Sequence, residues 1–156
     1  MRKHLIVCLS FALLNIFSTN IFSSAYSDNN AIDSVIGKPG DASNVTRIIK
    51  ITVIENRFLP SEINVTQGET IRFVVKSGGN EQHEMIIDTM DNLQEQAKMR
   101  RIHPETKAAE QNQIRLDPGE QKELIWQFTR AGTIDFACPL PGHFKGMRGK
   151  INVEKK

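Results

Sequence analysis

Ile48-Ile49-Lys50-Ile51-Thr52-Val53-Ile54, Glu62-Ile63-Asn64-Val65 and Thr70-Ile71-Arg72-Phe73-Val74-Val75 follow one another with Gln67-Gly68-Glu69 between the last two. These are short runs rich in β-branched residues, and the Gly-centred break between them reads as a turn, so strands are expected over all three. The same texture continues through Met85-Ile86-Ile87, 113–116, 123–128, 133–137 and 150–153, punctuated by Asp117-Pro118-Gly119-Glu120 and Arg130-Ala131-Gly132. Many short strands without βαβ alternation predict an all-β, antiparallel sandwich of two sheets. One stretch departs from this. Residues 91–101 lack β-branched residues and place Leu93, Ala97 and Arg100 or Arg101 at helical spacing, which predicts a short helix capped by Asp91 in an inserted connection. Pro104 and the polar run to Asn112 then lead back to the sheet.

Upstream of the strands, residues 26–46 are rich in Ser, Asp, Asn and Gly and carry Lys38-Pro39-Gly40, which reads as a flexible leader ahead of a domain at 47–156. Residues 1–25 read as a cleaved secretory signal peptide: Met1-Arg2-Lys3 gives a positive start, 5–17 is nearly all apolar, and Ser23-Ser24-Ala25 offers small residues for cleavage. Asn15, Ser18, Thr19 and Asn20 interrupt the apolar run before it reaches the roughly 20 residues a membrane span needs.

Twenty basic residues face eighteen acidic ones, and the excess consists of Arg2 and Lys3, so a chain cleaved after Ala25 is formally neutral. Nucleic-acid binding through overall charge is thereby excluded. Cys8 leaves with the signal, and Cys138 remains as the single cysteine. Exported proteins ordinarily pair their cysteines, so a lone thiol is an inert buried group, half of an intermolecular bridge, or a metal ligand.

The third option gains weight from its surroundings. Phe136-Ala137-Cys138-Pro139-Leu140-Pro141-Gly142-His143-Phe144-Lys145-Gly146-Met147 sets thiol, imidazole and thioether in a Cys-x4-His-x3-Met pattern. That donor mixture favours copper, because sulfur stabilises Cu(I) while imidazole and thiolate hold Cu(II). Zinc has little use for a thioether. A second imidazole is required, and the mature chain offers His83 or His103. His83 stands immediately before the apolar run 85–87, where a sheet would fix it; His103 sits in the polar insertion beside Pro104 and is read as a surface residue.

With these residues in view, the sequence resembles the cupredoxins, the small blue copper proteins, and within them the bacterial exported cupredoxins associated with copper tolerance. The resemblance runs through 136–144, Gly146-Met147-Arg148-Gly149-Lys150-Ile151, Arg57-Phe58 with Pro60, Gly68-Glu69-Thr70, His83-Glu84, and Pro118-Gly119-Glu120 through Trp126. It implies a Greek-key β-sandwich holding one type 1 copper ion that cycles between Cu(I) and Cu(II). His83, Cys138 and His143 would form the trigonal plane, and Met147 the long axial ligand. In electron-transfer members the residue after the upstream His is often Asn, which braces the cysteine loop; here it is Glu84.

Pro139, Leu140, Pro141 and Phe144 would form an apolar collar that excludes water and docks a redox or copper-exchange partner near His143, with Leu140 as the backbone donor to the Cys138 sulfur. Met85 and Trp126 read as core. Met90, Met99 and His103 are candidates for an accessory Cu(I) site, with gap filling beneath the helix the simpler reading of the two methionines. The sequons at Asn44 and Asn64 are short enough to be accidental.

The expected function is copper homeostasis or tolerance, one-electron transfer, or both, by a monomer in the periplasm. The alternative is a dedicated soluble carrier for a respiratory partner. A multicopper enzyme is not expected: Ala137 and Pro139 flank Cys138 where such enzymes carry bridging histidines, and residues 26–156 hold three histidines in all.

Overall fold

Alternation along each strand dictates how the chain layers. The computed structural model describes residues 35–103, 105 and 111–156; the expected signal peptide and residues 26–34 of the expected leader lie outside them. Among the described residues ten strands and one α-helix follow in the order β1 (Lys38–Pro39), β2 (Arg47–Ile54), β3 (Arg57–Leu59), β4 (Glu62–Thr66), β5 (Thr70–Ser77), β6 (His83–Asp88), α1 (Met90–Ile102), β7 (Gln113–Leu116), β8 (Gln121–Gln127), β9 (Gly132–Ala137) and β10 (Arg148–Glu154). They form two five-stranded sheets, β1-β8-β5-β2-β3 and β4-β10-β9-β6-β7. Ile51 and Val53, Ile63 and Val65, Ile71, Phe73 and Val75, Leu124 and Trp126, Ile134 and Phe136, and Ile151 and Val153 are buried between them while intervening side chains turn outward. The chain is thus the expected β-sandwich with one short helix, and Met85 and Trp126 are core as read from sequence.

The sheets are mixed, which corrects the antiparallel expectation. β2 runs parallel to β5 and β4 parallel to β10. The cause is the Gln67-Gly68-Glu69 turn: it carries the chain from β4 in one sheet to β5 in the other, so no hairpin forms and β5 arrives alongside β2 in the same direction. A hairpin does join β2 to β3. Its two linking residues, Glu55 and Asn56, both have positive φ (47° and 58°), the handedness that two-residue hairpin turns need.

β6 is buried at all six positions because both its faces are covered. The inner face meets the core, and the outer face meets α1, where Ile86, Ala137 and Leu93 pack together. Leu93, Ala97 and Arg100 are the buried residues of α1, at the predicted spacing. The cap differs: Thr89, one residue before the helix, accepts from the Asn92 N–H, and Asp91 lies within the first turn, where its charge complements the helix dipole.

The flexible-leader expectation does not hold between Val35 and Thr46. Ile36 is buried, its carbonyl accepts the Trp126 Nε1–H at 2.6 Å, and Lys38–Pro39 pairs with β8. The Gly40 N–H bonds Ile125 O, and Asp41 caps a turn of 3₁₀ helix at Ala42–Asn44. Gly37 has φ +98°, and a Cβ there would lie 2.2 Å from Gln127 O. These ties are made by backbone groups, the Ile36 side chain, the Trp126 indole and the Asp41 carboxylate, and so leave no periodic pattern in the sequence.

Trp126 is the chain's only tryptophan. A chain beginning at Arg47 loses the Ile36 packing and the indole hydrogen bond, together about 3 kcal/mol. Urea unfolding is expected to shift accordingly, and the native tryptophan emission to move to longer wavelength.

Candidate metal centre

β9 and β10 are antiparallel neighbours, with Ala137 opposite Arg148, and the loop between them carries Cys138, His143 and Met147. The loop is closed at its base by the Cys138 N–H bonding Met147 O at 3.1 Å. Inside it the His143 N–H bonds Leu140 O, and the Gly146 and Met147 N–H groups both bond His143 O, a tight turn aided by Gly142 at φ +86°. β6 pairs with β9 on its other side, which brings the start of β6 to the cysteine although 54 residues of sequence separate Glu84 from Cys138.

Three donors consequently meet. One ligand atom each from His83, Cys138 and His143 lies within 4.8 Å of the others. Cys138 Sγ stands 3.6 Å from His143 Nδ1, and the two imidazole centroids are 5.0 Å apart at 45°. Cys138 and His83 are buried, while the His143 side chain is 12% exposed. Met147 is buried in the same apolar cluster as Cys138. His103 is elsewhere: it caps the C-terminus of α1, with a 55% exposed side chain 3.9 Å from Glu105.

The chemistry of these groups fits a soft cation. His83 Nδ1 is buried with no hydrogen-bond partner, a costly arrangement for a polar atom unless something else satisfies it. Burial holds the His83 pKa below its ordinary value, with nearby His143 acting in the same direction and Glu81 opposing, so the ring is neutral and offers a lone pair. Burial pushes the Cys138 thiol up to about 11, against the pull of backbone hydrogen bonds from Glu84 and from Leu140, the donor expected from sequence. The Glu84 N–H reaches the sulfur at 3.3 Å. Two amides aimed at a sulfur suit an anion, and an incoming cation supplies the remaining stabilisation. One thiolate and two imidazoles in a water-poor pocket match copper.

Glu81 escaped the sequence reading as part of this site, and Glu84, marked there at the bracing position, has partners that the sequence did not reveal. Glu81 Oε2 lies 3.2 Å from His143 Nε2, so the ring faces sulfur with one nitrogen and a carboxylate with the other, which fixes its orientation. Glu84 is buried between Arg100 and Arg115, where Asn is common among the proteins it resembles. Neither pairing follows a spacing rule, although Arg100 on the buried face of α1 was a signal that an acid must lie beneath it.

Around His143, Leu140 packs on the core and Phe144 on the α1 cluster, with the Arg148 guanidinium 5.4 Å above the Phe144 ring. A groove of about 270 Å³ runs between Pro139–Phe144 and Ala97 and Arg101 of α1. Met90 begins α1, whereas Met99 and His103 lie toward its far end, about 14 and 20 Å away at 1.5 Å per residue. The structure therefore does not gather the three candidate accessory donors at one point.

The profile of the copper binding proteins of the plastocyanin/azurin family matches residues 48–154. The chain is 40% identical over 123 residues to the copper-resistant cuproprotein CopI of Rubrivivax gelatinosus, covering 78% of this chain and 74% of that one. It is 27% identical over 164 residues to CopI of Pseudomonas aeruginosa, covering 86% and 91%. Among solved structures, dithionite-reduced auracyanin from the photosynthetic bacterium Roseiflexus castenholzii superposes with a TM-score of 0.59 at 22% identity, covering 69% of this chain and 96% of auracyanin.

The raised Cys138 pKa makes a prediction for the metal-free protein. Folding favours the protonated thiol, so its contribution is whole below the ordinary thiol value of about 9 and is lost as pH rises through about 11. Urea melts of the metal-free protein should lose on the order of 2–3 kcal/mol across that window, and Cys138→Ala should lack this decline.

Proposed function

Because the chain belongs to the plastocyanin/azurin family of copper-binding proteins, we propose that it is an exported type 1 copper protein of copper tolerance and homeostasis, whose one copper ion would be held by His83, Cys138, His143 and Met147. The observation that carries the ligand set is the buried, unpartnered His83 Nδ1 in a three-donor cluster with Cys138 and His143. Copper when bound supplies a one-electron couple, Cu(II) to Cu(I), that no side chain here possesses.

The chain's own residues do the rest. Cys138 gives up its proton and keeps its sulfur anion between two amide donors. His83, kept neutral by its burial, and His143 would supply the two imidazoles, and Glu81 steadies the outer one. Strands β6 and β9 hold these groups from both sides, which limits rearrangement on a change of charge. Pro139, Leu140 and Phe144 keep water away and present an apolar rim, where a redox or copper-exchange partner docks on the monomer beside His143.

Export to the periplasm is supported by the Met1–Ala25 sequence, and among the described residues no helix is long and apolar enough to cross a membrane. A non-enzymatic role is supported by Ala137 and Pro139 beside Cys138. The second reading, a dedicated carrier for a respiratory partner, draws on the same pre-assembled donors. The two differ in how tightly Cu(I) is kept.

The test adds one equivalent of Cu(II) to the metal-free protein and records visible absorption and paramagnetic resonance. The wild type should develop the sulfur-to-copper band. Cys138→Ser should abolish it, His83→Ala should perturb it strongly, and Met147→Leu should keep it with a raised potential. A colourless wild type overturns the ligand set. After reduction, loss of Cu(I) to a competing chelator supports tolerance, and retention through repeated cycles supports the carrier.

A further inference from the structure

His83, only 2% exposed, forms one wall of a groove of about 460 Å³ between the β2–β3 hairpin and the loop that enters β6. The hairpin contributes Glu55 and Asn56, and the loop contributes Gly78, Gly79 and Glu81. No lysine or arginine is among the described residues that line it. Asn56 Oδ1 is buried without a hydrogen-bond partner, as His83 Nδ1 is. Glu81 belongs to the groove and to the donor cluster at once, since its Oε2 reaches His143 Nε2. Gly79 covers the His83 ring with backbone alone, and a Cβ there would lie 3.9 Å from Nε2. The groove is therefore a cleft of acceptors and negative charge with a buried metal donor in its wall.

Its size and charge suit a hydrated cation. A divalent ion with six waters takes up roughly 200 Å³, at about 30 Å³ per water, so the groove admits it with its shell. Oxygen donors exchange for such waters readily and hold copper less firmly than thiolate and imidazole do. A cleft lined by one sign of charge concentrates its counter-ions and speeds their arrival about tenfold or more. The groove on the other approach, beside Pro139–Phe144, is walled by apolar residues and flanked by Arg101 and Lys145, which repel a cation.

We propose that the groove at Glu55, Asn56 and Glu81 is the route by which copper enters, capturing the hydrated divalent ion and passing it to His83. This rests on the copper reading given above. No electron moves during entry. The groove oxygens replace waters on Cu(II), His83 and His143 replace the groove oxygens, and the Cys138 thiol releases its proton to water as its sulfur binds. Gly78 and Gly79 are the cover that an entering ion displaces, and backbone without side chains yields most easily. The charge of the groove sets the rate of loading, whereas the final ligands set the colour.

The test mixes metal-free protein rapidly with Cu(II) and times the growth of the sulfur-to-copper band at low and high salt. Glu55→Gln should slow loading threefold to about tenfold at low salt, with the difference shrinking at high salt as screening shortens the reach of the carboxylate. Asn56→Asp adds a carboxylate at a positive-φ position that Asp tolerates, and should speed loading. Gly79→Leu thickens the cover over His83 and should slow loading at both salts. All three should reach the wild-type band. Rates equal to wild type in Glu55→Gln and Gly79→Leu overturn the route, as do charge variants that shift the rate in the same direction. If Gly79→Leu does not fold, the two opposed charge variants decide alone. Mn(II), which suits carboxylate and amide oxygens rather than thiolate, gives a readout without copper. In nuclear magnetic resonance of the metal-free protein it should broaden the amides of Glu55, Asn56 and Gly79, and Glu55→Gln should weaken that broadening at least threefold. Broadening confined to other residues, or unchanged in Glu55→Gln, overturns capture. A wild type without the band sinks the copper reading and the route with it, whereas a normal band with loading indifferent to Glu55 and Gly79 sinks the route alone.

Discussion

The pairing of β6 with β9 is the constraint on which the rest depends. It sets Glu84 N–H against Cys138 Sγ across a long stretch of chain and places His83 beside them. Neither residue is a metal site by itself. Their meeting requires a strand whose two faces are both covered, by the core on one side and α1 on the other, so that its register cannot slip without exposing an apolar row. The helix therefore belongs to the site's architecture although none of the three clustered donors lies on it.

Burial acts on two of the donors in opposite directions. It raises the cost of ionising Cys138 and keeps His83 neutral, so in the metal-free protein a protonated thiol faces a ring with a free lone pair. The two amides directed at the sulfur are arranged for the charge it acquires later. His143, nearer solvent and tied to Glu81, is the donor through which the pocket communicates with the surface.

Much of this was legible in the sequence. The strands from Arg47 onward announced themselves by β-branched alternation, α1 by its lack of β-branched residues, and the cysteine loop by the spacing of Cys138, His143 and Met147. His83 was separable from His103 because a residue leading a buried strand is held in place, and the structure sets it beside Cys138 and His143. What escaped was the part written in backbone geometry and in long-range charge. The segment around Ile36 is held chiefly by main-chain hydrogen bonds, β1 is two residues long, and the parallel pairings follow from which sheet a turn leads into. The pairings of Glu81 and Glu84 were hidden because their partners, His143, Arg100 and Arg115, lie 62, 16 and 31 positions away.

The hydrogen bond from Cys138 to Met147 seals the loop where β9 ends and β10 begins, and pairing resumes at once with Ala137 opposite Arg148. Everything between those two residues is cantilevered from a finished ladder. The tip is anchored to the body at two further points, Leu140 on the core and Phe144 on the α1 cluster, so a change elsewhere along it is felt first by the donors and only through those two anchors by the sheets.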